Sequence, residues 1–248
     1  MSQLQRLVIA PSQLQAQQIL LTTQQQHYLS RVLRLQEGDR FIAMDGQGQW
    51  WLALLVHSKA QILETISVQT ELPVSITLLV ALPKGNGFDE VVRCCTELGA
   101  SCIVPVISDR TLLHPSPQKL ERWRRIAIEA AEQSERQIVP TILEPPTFVA
   151  ALSSNFSYTS PDNKKYICVA RGDSLRLIDC LQDKGQIIKN KGQTIVIATG
   201  PEGGWTETEV ERAIAAGFQL VSLGRRILRA VTAPVVALSL ATAAREGE

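Results

Sequence analysis

The 248-residue sequence predicts an α/β protein, a parallel sheet with helices on both faces, preceded by a small β-rich module folded as a compact barrel. Three observations carry this. Beyond residue 73, apolar strand-like runs alternate with helical patterns, the signature of βα units. Before it, short alternating segments follow one another around turn signals. Near the end of the chain, two strands leave into sharp loops close in sequence. One loop is Gly-rich and carries an acid, and the other is Arg-rich.

The first module is assigned residues 1–72. It begins Gln-rich, passes through a helical piece at 25–33 followed by Arg34, and continues in strands at 39–44, 50–57 and 60–68. Asp45-Gly46-Gln47-Gly48 between the first two strands is a hairpin signal. Arg6, Arg31, Arg34 and Arg40 meet Glu37, Asp39 and Asp45, so the module is mixed in charge. His27 is open to two readings, a catalytic base or a structural histidine.

Thr70-Glu71-Leu72-Pro73 reads as the linker, and residues 73–248 form the second domain. A continuous apolar strand at 76–82 exits into Pro83-Lys84-Gly85-Asn86-Gly87. A helix at 88–98 is capped by Gly99, and a strand follows at 102–107. Ser116 as N-cap and Pro117 at the first helical position start a long helix through 136. A polar loop covers 153–165, with a strand at 166–170 and a short helix at 175–181. Lys191-Gly192 leads into the buried strand around Ile195-Val196-Ile197. Thr206 three residues before Glu209 is a capping box, so a helix starts there and stops at Gly217. A strand at 218–223 precedes Gly224-Arg225-Arg226-Ile227-Leu228-Arg229. The final helix, 234–245, is apolar almost all round, which fits either packing inside one monomer or a two-fold dimer interface.

Composition sets limits. A hydrophobic content of 45% with 20% charged residues is that of a globular protein, and a formal charge of +1 gives no global field for nucleic acid. No signal-peptide core or membrane-length apolar run is present, so a cytoplasmic location is expected. Five cysteines (94, 95, 102, 168 and 180) form no CxxC, so buried free thiols are expected and no metal site.

The loop Gly200-Pro201-Glu202-Gly203-Gly204 is neither a P-loop nor a GxGxxG fingerprint. Its glycines let backbone approach a ligand, and it stands at a strand's carboxyl end, where open α/β sheets bind ligands. Arg225, Arg226 and Arg229 form a local positive patch suited to phosphate or to charge developing on a substrate. For Arg225 and Arg226 a merely solvated loop is an equal alternative. Lys84 stands at another strand's exit.

Leu82-Pro83-Lys84-Gly85, Thr96-Glu97-Leu98-Gly99, Glu132-Gln133-Ser134-x-Arg136, Gly200-Pro201-Glu202-Gly203-Gly204 and Leu223-Gly224-x-Arg226-Ile227-Leu228-Arg229 follow one another in order. Together they resemble the RsmE family, ribosomal RNA small subunit methyltransferase E. His27-Tyr28-Leu29-x-x-Val32-Leu33-Arg34 is similar to the family's PUA-like entry module, so the resemblance covers nearly the whole chain. It implies a SPOUT-type parallel sheet with a C-terminal trefoil knot behind a PUA-like β-barrel, and a homodimer. It further implies methylation of N3 of a uridine in 16S ribosomal RNA, with S-adenosyl-L-methionine as cofactor.

By position, the cofactor residues implied are Leu82, Thr199, Gly200, Pro201, Glu202, Gly203, Leu223, Gly224, Ile227, Leu228 and Thr232. Arg229, Glu202, Lys84 and Arg6 are the catalytic candidates. Arg6, Arg31, Arg34, Lys84 and Arg226 are the RNA-binding ones. Two departures stand out. Where the family usually has Thr-Glu-Thr-Ala after the last arginine, this chain has Ala230-Val231-Thr232-Ala233; Leu7-Val8 replaces the usual Phe-Phe after Arg6. A non-catalytic RNA-binding protein on the same fold, and a nucleotide-dependent oxidoreductase, are the alternatives. An intact glycine loop opposes the first and the absent GxGxxG the second.

Overall fold

The computed structural model describes residues 4–112, 114–153, 163–182 and 194–246. The chain divides into two compact units. One comprises Met1–Glu71 with Ile128–Val139, and the other Leu72–Ala127 with Pro140–Glu248.

The first unit carries β1 (Arg6–Val8), β2 (Leu14–Gln15), β3 (Gln18–Leu20), α1 (Thr23–His27), β4 (Arg40–Met44), β5 (Trp50–Val56) and β6 (Lys59–Ile66). They make a six-stranded sheet in the order β1-β4-β5-β6-β3-β2, in which β1 runs parallel to β4 and every other pairing is antiparallel. Asp45 closes the β4–β5 hairpin, its Oδ1 accepting from the N–H groups of Gln47 (2.8 Å) and Gln49 (3.0 Å). Thr22 caps α1 in a reciprocal box with Gln25. The helix then widens into a π-helical turn, Tyr28–Val32, and Arg34 leaves it at φ 58°. Leu7, Ile9, Ile19, Leu29, Phe41, Ala53 and Ala60 bury against one another, so strands from both ends of the sheet share one core.

Strands β1 to β3 are a difference from the sequence reading, which began the strands at residue 39. Each is two or three residues long, too short to show alternation. Their pairing is set from elsewhere, with β1 lying beside β4 and β3 beside β6.

The second unit contains β7 (Ser75–Ala81), α2 (Gly87–Glu97), β8 (Cys102–Val106), α3 (Pro117–Gln133), β9 (Thr141–Ile142), α4 (Phe148–Ala151), β10 (Lys164–Cys168), β11 (Leu175–Arg176), α5 (Leu177–Leu181), β12 (Thr194–Thr199), α6 (Glu207–Ala215), β13 (Gln219–Ser222) and α7 (Thr232–Arg245). The final residues of α3 group with the first unit. The sheet order is β11-β13-β10-β12-β7-β8-β9, and all its pairings are parallel. Central strands β7 and β12 are buried on both faces, which is why they read as unbroken apolar runs. Leu79, Val196 and Ala198 pack with Phe148 and Ala151 of α4 and Ala213 of α6. Helix α7 packs against α2, α5, β7 and β12.

Three adjustments follow. The 116–136 helix stops at Gln133, and Glu135 takes a left-handed φ of 61°. Strand β9 and helix α4, short and flanked by Pro140, Pro145 and Pro146, escape the periodicity. Helix α7 buries Ala237, Leu238 and Ala241 in its own unit, and Thr242 Oγ1 donates to Leu98 O at 2.8 Å. Most of the loop read at 153–165, and Lys191-Gly192, lie outside the described residues.

Candidate active site

Strands β10, β12 and β13 end side by side, and their exits enclose a cleft of about 670 Å³ in the second unit. Its lining comes from Cys168 at the end of β10 and 169–171 beyond it, 200–205 and then Glu207 and Val210 after β12, and Leu223, Gly224, Arg226, Ile227, Leu228, Ala230 and Ala233 after β13. Arg110 completes it. From β10 the sheet grows one way to β12 and the other way to β13. The cleft therefore sits at a switch point, where α/β sheets bind their ligands.

The glycine loop is shaped by bonds that local spacing only partly reveals. Gly204, at φ 70°, donates to Pro201 O at 2.9 Å and closes a tight turn. Trp205 stacks on Phe148 at 4.3 Å between centroids, and its Nε1–H donates to Cys168 O at 3.2 Å. A Cβ added at Gly200 would stand 3.2 Å from that indole, a close approach that would require the ring to shift. Gly224, at φ 116°, makes the second turn in a conformation that side chains avoid. Thr206 and Glu209 form the expected capping box on α6. Glu209 is buried, and its second oxygen accepts from Asp109 N–H at 2.9 Å, so one carboxylate serves two loops.

The sequence-derived residues distribute as follows. Gly200, Pro201, Glu202, Gly203, Leu223, Gly224, Ile227 and Leu228 line the cleft. Leu82 and Thr199 do not line it. Both are buried at strand ends, and Thr199 Oγ1 has no hydrogen-bond partner among the described residues. Thr232 opens α7 and donates its N–H to Arg229 O at 2.9 Å. Glu202 faces the cleft, and its Oε1 accepts from Lys84 N–H at 2.9 Å, which joins the β7 exit to the glycine loop. Lys84, Arg226 and Arg229 are exposed; of these Arg226 lines the cleft. Ile227 is 66% exposed, an apolar side chain held open beside the site.

Sequence reasoning missed Arg110, Cys168, Arg171 and Trp205. Trp205 directly follows the glycine motif, a signal that was available. The other three come from exits without a motif. Cys168 is no nucleophile, since burial pushes its thiol up to about 12. Cys94, Cys95 and Cys102 are outside any disulfide as well, Cys95 buried and the other two half-buried. Among the described residues no histidine lines the cleft and no cluster of three or more metal-ligating side chains occurs. No described helix is long and apolar enough to cross a membrane.

Arg31 and Arg34 are exposed in the first unit. Arg6 is placed differently. Its side chain is 11% exposed, paired with Glu135 at 2.7 Å and laid over the Trp50 ring at 5.6 Å. The Glu132-Gln133-Ser134-x-Arg136 motif belongs to this unit too. Glu132 is 5% exposed, and its Oε1 accepts from Val8 N–H at 2.6 Å. Burial pushes its carboxyl up to about 7, against the lowering effect of that hydrogen bond, and Glu129 adds to the rise. Arg136 is 4% exposed and paired with Glu71. His27 is exposed at the end of α1, whereas His57 pairs with Glu37 at 2.8 Å on the surface.

Comparison with known proteins agrees with this layout. Residues 70–242 match a family model described as an RNA methyltransferase domain, and residues 21–63 one described as an RNA methyltransferase PUA domain. The ribosomal RNA small subunit methyltransferase E of Synechocystis sp. is 53% identical over 237 residues, 94% of this chain and 76% of that protein. Its counterpart in Bacillus subtilis is 32% identical over 88% of this chain and 87% of its own. A crystal structure of the Neisseria gonorrhoeae enzyme of the same name, bound to S-adenosyl methionine, superposes with a TM-score of 0.82. It is 32% identical and covers 96% of both chains. Ordered motifs, a cleft at the strand ends and matches over nearly the full length agree: the chain belongs to the ribosomal RNA small subunit methyltransferase E family.

Proposed function

We propose that this protein transfers a methyl group from S-adenosyl-L-methionine to N3 of a uridine in 16S ribosomal RNA of the small subunit. The observation that carries the reading is the cleft between the β10, β12 and β13 exits in a chain of this family. Its residues fit the cofactor. A volume of about 670 Å³ suits a ligand of that size. The β13 exit offers Leu223, Ile227 and Leu228 for a flat base, and the rim offers Glu202 and arginines for the opposite charges of an amino acid.

When bound, the cofactor supplies an activated methyl group on a sulfonium whose departure leaves a neutral thioether. The protein's part is therefore chiefly to hold donor and acceptor in line. The 200–205 and 223–228 loops do this for the donor. The uracil N3 proton must leave, and the negative charge that results needs a cation. Arg229, exposed at the end of the β13 exit, is assigned that role, with Lys84 beside the glycine loop as a second positive group. Glu202 accepts from the Lys84 backbone and acts by shaping the site. Arg6 is left out of this set because Glu135 already engages its guanidinium.

Exposed Arg31, Arg34 and Arg226 are the phosphate contacts in this reading. The enzyme works in the cytoplasm as a homodimer, and the segment from β13 to α7 carries the trefoil knot of the family. Differential scanning with S-adenosyl-L-methionine, NAD and ATP tests the cofactor. A rise in melting temperature with the first alone is expected. No rise with it, or a rise with NAD, overturns the reading.

A further inference from the structure

We propose that Arg110 is a positioning residue: it locks the peptide joining Gly203 to Gly204 and thereby sets the affinity of the cleft for the methyl donor. The proposal rests on the S-adenosyl-L-methionine reading and names the residue that shapes that site. Arg110 leaves the loop after β8, yet its Nη1 donates to Gly203 O at 2.5 Å and lies 3.4 Å from Trp205 O. These are the carbonyls on either side of Gly204, the residue at φ 70°. A peptide between two glycines has no Cβ to bias its orientation, so a flip there costs little on its own. The guanidinium removes that freedom by holding the Gly203 carbonyl on its own side.

The brace is itself braced. Asp109 N–H donates to buried Glu209 at 2.9 Å, and Asp109 Oδ2 accepts from Thr206 Oγ1 at 3.0 Å. Ser108 N–H donates to Thr111 Oγ1 at 3.0 Å inside the fold. The backbone at 108–111 is thus closed into its own turn and tied to the start of α6, so Arg110 reaches the glycine turn from a held base. Glycine at 203 matches this: a Cβ there would stand 3.1 Å from Arg110 Cδ. Arg110 is exposed and forms no ion pair among the described residues, so it is not a support of the core.

The test is calorimetric titration of S-adenosylhomocysteine into the full-length protein, Arg110→Ala and Arg110→Lys, with and without millimolar guanidinium. Arg110→Ala is expected to weaken binding about ten-fold, the effect of one charge-assisted hydrogen bond. Arg110→Lys, which keeps one donor, should fall between. Guanidinium should restore part of the Arg110→Ala loss and leave the parent unchanged, which no general loss of structure would do. Filter binding to small-subunit RNA, and its salt dependence, should stay as in the parent. Unaltered cofactor-product affinity in Arg110→Ala overturns the proposal. So does a loss confined to RNA binding with a shallower salt slope, which makes Arg110 a phosphate contact. If the parent protein binds no S-adenosylhomocysteine, the donor reading itself fails, and that result is separate from any difference among the variants.

Discussion

Replacing Glu132 with glutamine should stabilise the protein at alkaline pH and change little at acid pH. The carboxyl is buried at 5% exposure, with Glu129 nearby, and among the described residues it is compensated by the 2.6 Å bond from Val8 N–H. Its affinity for the proton rises from 4.5 to about 7 on folding. The folded state then binds more protons than the unfolded one between those values, so stability falls as pH rises. The contribution is whole below about 4.5 and lost as pH passes about 7. Converted at 1.36 kcal/mol for each tenfold in proton affinity, the loss at pH 8.5 is about 3 kcal/mol. The amide of Glu132→Gln keeps an oxygen for Val8 and carries no charge, so the loss should vanish. Glu132→Ala is a useful contrast, because an orphaned Val8 N–H costs about 1–3 kcal/mol at every pH. Urea unfolding of both variants and the parent from pH 5 to 9, followed by fluorescence, reads the difference. Tyr28, whose ionisation is pushed up by burial and by Glu132 and Glu129, stays neutral across that range. Parallel stability curves for the parent and Glu132→Gln would refute the reasoning.

Three further outcomes follow from the site and from α7. Gly200→Ala should weaken S-adenosylhomocysteine at least ten-fold, since its Cβ meets an indole pinned by Phe148 and Cys168 O; calorimetry with equal affinity would mean the loop gives way. Arg229→Ala should slow single-turnover methylation of small subunits far more than it weakens their binding, and equal losses would make it an ordinary RNA contact. Val235→Glu, on the half-buried side of α7, should leave a folded monomer by light scattering, whereas Leu238 is fully buried within its own unit and Leu238→Arg should unfold it.

What the sequence made legible was local. The capping box at Thr206 and Glu209, the hairpin at Asp45 and the turns at Pro201–Gly204 and Gly224 depend on neighbours in the chain, and each stands in the structure. The unbroken apolar runs of β7 and β12 announced strands covered on both faces. The order of the strands was not legible in the sequence, and the knot is an implication of the family resemblance. What stayed hidden depends on partners far along the chain. Arg110 acts on carbonyls 93 and 95 positions away, and Val8 N–H finds Glu132 across 124. Arg6 looked like a free cation because nothing nearby in sequence pairs with it, yet Glu135 does. Val231, where the family resemblance leads one to expect an acid, packs against the α2 start: a Cβ at Gly87 would meet its Cγ1 at 2.6 Å. That contact is apolar and gives the position a packing role.

Methyl transfer to the small subunit is tested most directly by one measurement. Small subunits from a strain lacking this protein are incubated with the purified enzyme and S-adenosyl-L-methionine, and the digested 16S RNA is examined by mass spectrometry. A single new 3-methyluridine that requires the methyl donor, and that falls with Gly200→Ala when the donor is limiting, is the expected result. RNA that gains no methyl group, or gains it on another base or atom, would contradict it.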